Sequence, residues 1–142
     1  RATAIGVIAA MNIKLIKTLF YVGALYDGFF GVMGILSPNL AFELFEVVPP
    51  NHVGYVQFPA ILLLIFGAMF YRIATNPVAN RDLIPYGIAL KVGYSGMVFY
   101  YMLTSGIPGM WVPWAWIDLV VLVLFVLSWR ATGTSAQQAA QT

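Results

Sequence analysis

Four stretches of this chain lack the apolar–polar alternation of an element that faces water. They run from about Ile13 to Leu36, Val53 to Ile73, Leu83 to Leu103 and Trp111 to Trp129, and each is apolar almost throughout. A helix rises about 1.5 Å per residue, so about 20 such residues cross the roughly 30 Å hydrocarbon core of a bilayer. Each stretch therefore predicts a membrane-spanning helix.

Breaks of turn-forming residues separate the spans. Ser37-Pro38-Asn39 stops the first, and NLAFELFEVVPP follows it. Within that segment Leu40, Leu44, Val47 and Val48 fall on one face at helical spacing, with Glu43 and Glu46 on another. This pattern predicts a short amphipathic helix lying in the membrane interface, ended by Pro49-Pro50. Pro59 is expected to kink the second span. The polar loop TNPVANRD leads to the third span, where Pro85 sits in the first turn and a missing N–H costs little. The turn TSGIPG precedes the fourth span, which has Trp111, Trp114 and Trp116 at one end and Trp129 with Arg130 at the other, an interfacial belt. Gly23, Gly31 and Gly34 in the first span either let a neighbouring helix approach closely or reflect the general frequency of glycine in membrane helices.

The predicted organisation is thus an all-α integral membrane four-helix bundle over residues 13–130. An N-terminal extension of open origin covers residues 1–12, and a small, polar, disordered tail covers residues 131–142. Met11, followed by Lys14 and Lys17, would make a natural start. The run from Thr18 to Leu36 is too long for a signal-peptide core, and no small-residue cleavage site follows it, so a retained helix is expected.

Composition agrees with lipid as the solvent. The 142 residues are 61% hydrophobic and 8% charged, against roughly 25% charged in a soluble domain. A net charge of +2 without any basic run gives nucleic acid no footing. There is no cysteine, which removes disulfides and thiolate chemistry, and a single histidine, His52, which rules out haem held between two histidines of one chain. His52 with Glu43 and Glu46 forms at most a thin metal set, and an ordinary loop histidine is the simpler expectation. Lys14, Lys17, Arg72, Arg81 and Arg130 all fall on the side of the termini, which by the positive-inside rule places both termini in the cytoplasm.

Three ionisable residues interrupt the apolar spans. Asp27 lies about 15 Å beyond Lys17, Lys91 about 12 Å beyond Leu83, and Asp118 about 18 Å before Arg130, counted along the helical rise. All three fall near the midplane, in three different helices. A lone charge there costs roughly 2.5–3.5 kcal/mol on insertion scales, and one cation between two anions removes much of that cost. Three readings remain open: a buried pair that sets helix register, a polar pocket or proton path, or Lys91 and Asp118 each reaching water on its own. If the three meet, one carboxyl is in excess, which is how a proton-binding site is made. Tyr26 beside Asp27, and Tyr94 one turn after Lys91, would add hydroxyls; Tyr55 and Gln57 add polar groups to the outer half of the second span.

No nucleophile–base pair and no glycine-rich phosphate loop is present. The cysteine pairs of four-span vitamin K reductases are missing, as is the arginine- and glutamate-rich second span of the trimeric glutathione-dependent membrane enzymes. The layout resembles that of the DoxX-like group of small bacterial four-helix membrane proteins. The shared features are a glycine-studded first helix ending at Ser37-Pro38, a helix ending in Arg72 before a proline loop, and a last helix carrying Asp118 before an aromatic end. The resemblance spans most of residues 13–130 and carries over no catalytic residue. It implies a bacterial inner-membrane protein linked to quinone or redox complexes.

The function expected is a small membrane protein whose midplane site, Tyr26, Asp27, Lys91, Tyr94 and Asp118, binds a lipophilic ligand such as a quinone or lipid. It would act as a homo-oligomer or as an accessory subunit of a membrane complex. The alternative is a proton-coupled small-molecule permease using Asp27 or Asp118. A membrane enzyme is the least expected class, and the sequence names no cofactor. A ligand-binding bundle should contain a closed apolar cavity ending at Lys91.

Overall fold

The computed structural model describes residues 12–139. The extension expected over residues 1–12 lies outside the described residues apart from Asn12, whose side chain caps the first helix by accepting the Lys14 N–H at 3.0 Å. Among the described residues the protein is all-helical. Helix α1 is Ile13–Leu36, α2 is Leu40–Leu44, α3 is Gly54–Thr75, α4 is Ile84–Thr104 and α5 is Val112–Ala139. Short 3-10 turns, Arg81–Leu83 and Gly109–Trp111, lead into α4 and α5.

Among the described residues three helices are long and apolar enough to cross a membrane: α1, α3, and α5 with its leading turn, over Gly109–Thr134. Helix α4 has comparable length, 21 residues. Its hydropathy is diluted by Lys91 and by Tyr86, Tyr94, Tyr100 and Tyr101.

Ile16, Ile73, Ala74, Ile84 and Ala131 share one core cluster. The start of α1, the end of α3, the start of α4 and the end of α5 therefore meet at one end, the terminal end. Helix α2 and the 3-10 turn before α5 lie at the opposite, distal end, where Phe42 meets Trp111 with ring centroids 6.2 Å apart.

The helices associate as two close pairs. Helices α1 and α3 touch backbone to backbone through small residues. A β-carbon placed on Gly31 would lie 2.7 Å from Leu64 Cγ and 2.9 Å from the Ala60 carbonyl oxygen, and one on Gly34 would lie 2.7 Å from Ala60 Cβ. Of the two readings of the α1 glycines, close approach holds at these two positions. Such contact matters in lipid, where no hydrophobic force drives helices together. Helices α4 and α5 are tied by side chains: the Ser95 hydroxyl donates to the Ala115 carbonyl and the Tyr94 hydroxyl to the Trp111 carbonyl, both at 3.1 Å. Leu25, Leu36 and Leu103 are 75%, 75% and 81% exposed on the outside, an apolar exterior that water would not tolerate at this density.

Two sequence expectations need correction. The amphipathic helix is a single turn, Leu40–Leu44, because the chain reverses at Glu46, which sits at φ 53°. The Val47 N–H returns to the Phe42 carbonyl at 2.9 Å, closing the helix end in the Schellman manner. Val47 and Val48 therefore leave the helix, and Phe42, 8% exposed, is its buried residue. Secondly, the segment expected to be a disordered tail from residue 131 continues α5 as helix to Ala139. Packing decides this: Ala131 and Thr132 are buried, and the Thr132 hydroxyl donates to the Ser128 carbonyl at 2.9 Å. Arg81 also lies over the Trp129 ring, donates to the Trp129 carbonyl at 3.1 Å and rests against Gly133.

Candidate functional site

The buried stripe of each helix carries its charged residue. On α1 the stripe is Ile16, Phe20, Asp27 and Gly31. On α4 it is Ile84, Gly87, Lys91, Ser95 and Val98. On α5, Ala115, Asp118 and Phe125 are all buried. Steps of three, four or seven keep such residues on one helical face, so burying the apolar members carries the charges inward with them.

The three ionisable groups meet. Lys91 Nζ lies 3.0 Å from Asp27 Oδ1 and 3.1 Å from Asp118 Oδ1. Lys91, Asp27 and Asp118 are 2%, 1% and 5% exposed, so none of them reaches solvent on its own. The two contacts differ in kind. Lys91 donates a hydrogen bond to Asp27 Oδ1 and lies in ion-pair contact with Asp118 Oδ1, and among the described residues Asp27 Oδ2 has no hydrogen-bond partner. The remaining faces of the ammonium meet aromatic rings, with Tyr26 at 5.2 Å and Phe70 at 5.8 Å, attractive placements for a desolvated cation.

Aromatic layers enclose this cluster on both sides. Toward the terminal end lie Phe20, Phe70 and Phe125, with Phe20 and Phe125 stacked at 4.5 Å and Phe70 edge-on to Phe125 at 5.1 Å. Gly87 makes room for this layer, since a β-carbon there would come within 2.6 Å of Phe70 Cε1. Toward the distal end lie Tyr26, Phe30 and Trp114, with Phe30 and Trp114 edge-to-face at 4.7 Å and Tyr26 5.1 Å from Phe30.

Beyond the distal layer opens an apolar cleft of about 740 Å³, whose lining includes Phe30, Met33, Ala41, Val56 and Trp114. This cleft is not the closed cavity ending at Lys91 that the sequence leads one to expect. It ends on Phe30 and Trp114 rather than at Lys91, and it is open rather than closed. Of the five residues expected to form the site, Asp27, Lys91 and Asp118 converge and Tyr26 joins them through its ring face. Tyr94 commits its hydroxyl to the Trp111 carbonyl. Tyr55 lines the cleft, and Gln57 donates to the Ile35 carbonyl at 3.2 Å, tying α3 to α1. His52 accepts the Gly54 N–H on Nδ1 at 2.9 Å and so caps the start of α3. The apolar face Leu40, Leu44, Val47 and Val48 picked out by the sequence lines the cleft, together with Ala41 and Phe42, which helical spacing does not single out.

An all-helical chain with three helices fit to cross a membrane and a buried charged cluster between aromatic layers defines the class of protein only broadly. Comparison with family models, with curated proteins and with solved structures returns no match.

Proposed function

We propose that this is a four-helix integral membrane protein of the bacterial inner membrane, with both termini in the cytoplasm and α4 as the fourth span. In this reading it binds a lipophilic molecule, a quinone or a lipid, in the distal cleft, as a homo-oligomer or as an accessory subunit of a larger membrane complex. The DoxX-like layout belongs to the same proposal. The buried cluster locks α1, α4 and α5 in register beneath the cleft. The observation that carries the reading is the cleft itself, whose volume of about 740 Å³ and aromatic base suit a ring or acyl chain. Native mass spectrometry of protein extracted in mild detergent tests it. A lipid- or quinone-sized mass should remain on the wild type and be lost from Ala41→Trp and Val56→Trp, which fill the cleft. Equal retention by both variants rules the reading out.

A second reading, a proton-coupled permease, is favoured by one observation: two carboxyl groups share a single ammonium. In liposomes loaded with a pH-sensitive dye, proton-linked uptake should collapse in Asp27→Asn and in Asp118→Asn. Normal uptake by both variants removes proton coupling through these residues.

A further inference from the structure

We infer that the distal cleft selects a lipophilic cation, a molecule with an apolar body and an onium-type positive head. The inference rests on the proposed reading that the cleft holds a lipophilic molecule, and it fixes the sign of that molecule's charge.

The lining supplies the first half of the argument. Phe30, Phe42, Phe45, Tyr55, Trp111 and Trp114 all line the cleft of about 740 Å³. Two ring pairs among them stand steeply to each other: Phe30 and Trp114 at 68° with centroids 4.7 Å apart, and Phe42 and Trp111 at 71° and 6.2 Å. The face of an aromatic ring carries the negative part of its quadrupole, and a cation within about 6 Å of a ring centroid is attracted to it. Desolvation is the main cost of burying a charge. That cost is smallest for an onium ion, whose charge lies behind carbon substituents.

The charges around the cleft supply the second half. Its lining falls within residues 29–63 and 108–114, and no lysine or arginine occurs over 18–71 or 92–129. Two carboxylates do occur there, Glu43 on α2 and Glu46 just after it, and both are exposed. Each stands between residues of the lining: Phe42 and Leu44 flank Glu43, and Phe45 and Val47 flank Glu46. His52 adds no positive charge, since its Nδ1 accepts the Gly54 N–H at 2.9 Å and so carries no proton of its own. Lys91 lies beyond the base of the cleft and is already answered by Asp27 and Asp118. An anionic head in the cleft would therefore meet ring faces and two carboxylates, with no cation beside it. A cationic head meets the same groups as partners. Specificity of this kind comes as much from repelling the wrong charge as from attracting the right one, and rim carboxylates draw a cation toward the mouth.

Equilibrium dialysis of the full chain in dodecyl maltoside, an uncharged detergent, against protein-free micelles tests the inference. The probes are tetraphenylphosphonium and tetraphenylborate, ions of nearly the same shape and opposite charge. The wild type should bind tetraphenylphosphonium saturably, and tetraphenylborate no more than the micelles do. Ala41→Trp, which fills the cleft, should abolish the binding. Phe45→Leu removes one exposed ring and should weaken it about 3–30-fold. Glu43→Gln combined with Glu46→Gln should weaken it about fivefold, a loss that shrinks in high salt. Both of these variants change exposed side chains and should melt with the wild type, which separates lost binding from a lost fold. Equal binding of the two ions, lost together from Ala41→Trp, overturns the cation preference and leaves the cleft reading standing. Tetraphenylphosphonium binding that survives Ala41→Trp overturns both. No tetraphenylphosphonium binding above the blank, or wild-type binding by both the Phe45 and the glutamate variants, overturns this inference alone.

Discussion

Lys91→Met is expected to cost about 3–5 kcal/mol of stability, the range seen when one partner of a buried ion pair is removed. Methionine fills nearly the same volume, so packing is conserved and the loss is electrostatic. Two buried acids, 1% and 5% exposed, would face each other with nothing to answer them. The measurement is the melting temperature of detergent-purified protein, together with the yield of folded material. The origin of the loss is tested by rescue: Lys91→Met combined with Asp27→Asn and Asp118→Asn removes every charge in the cluster and should recover most of the stability. If the triple variant melts as low as the single one, Lys91 contributes through packing and the electrostatic account is wrong.

The second large effect is expected at Gly31. A β-carbon there meets Leu64 Cγ at 2.7 Å and the Ala60 carbonyl oxygen at 2.9 Å. Leucine can rotate away, but the carbonyl belongs to the α3 backbone and moves only if the helix moves. Gly31→Ile is therefore expected to push α1 from α3 and destabilise by about 1–3 kcal/mol, the usual range for overpacking. Gly93→Ala and Gly96→Ala are the controls, because a β-carbon at either position meets nothing within 4 Å. Both should melt at or slightly above the wild type, since alanine is the better helix former. Equal effects at the packed and the open glycines would show that helix propensity, and not the α1–α3 contact, sets the response.

The chain puts the charges on buried helix faces and leaves their meeting as one of several open readings, while the place of the cleft is not legible in it. Lys91 falls on the stripe Ile84, Gly87, Lys91, Ser95 and Val98, and Asp27 on the stripe Ile16, Phe20, Asp27 and Gly31. Those spacings are local and depend only on the helical period. The cleft depends on the path of residues 37–53, and that path turns on Glu46 at φ 53°, where no glycine marks a left-handed residue. The end of α5 was hidden for another reason. Small polar residues read as coil by composition, whereas Ala131 and Thr132 are held by burial and Gly133 by the Arg81 side chain. Tyr94 lies one turn from Lys91, but its hydroxyl is bound by the Trp111 carbonyl, a partner 17 residues away in the 3-10 turn that leads into α5.

The layer of Phe20, Phe70 and Phe125, seated against Gly87, has a consequence for traffic through the molecule. Together with Tyr26, Phe30 and Trp114 on the distal side, it leaves the ionic cluster sandwiched between two sets of rings, and the cleft stops at the second set. A passage from one side to the other would require both sets to part.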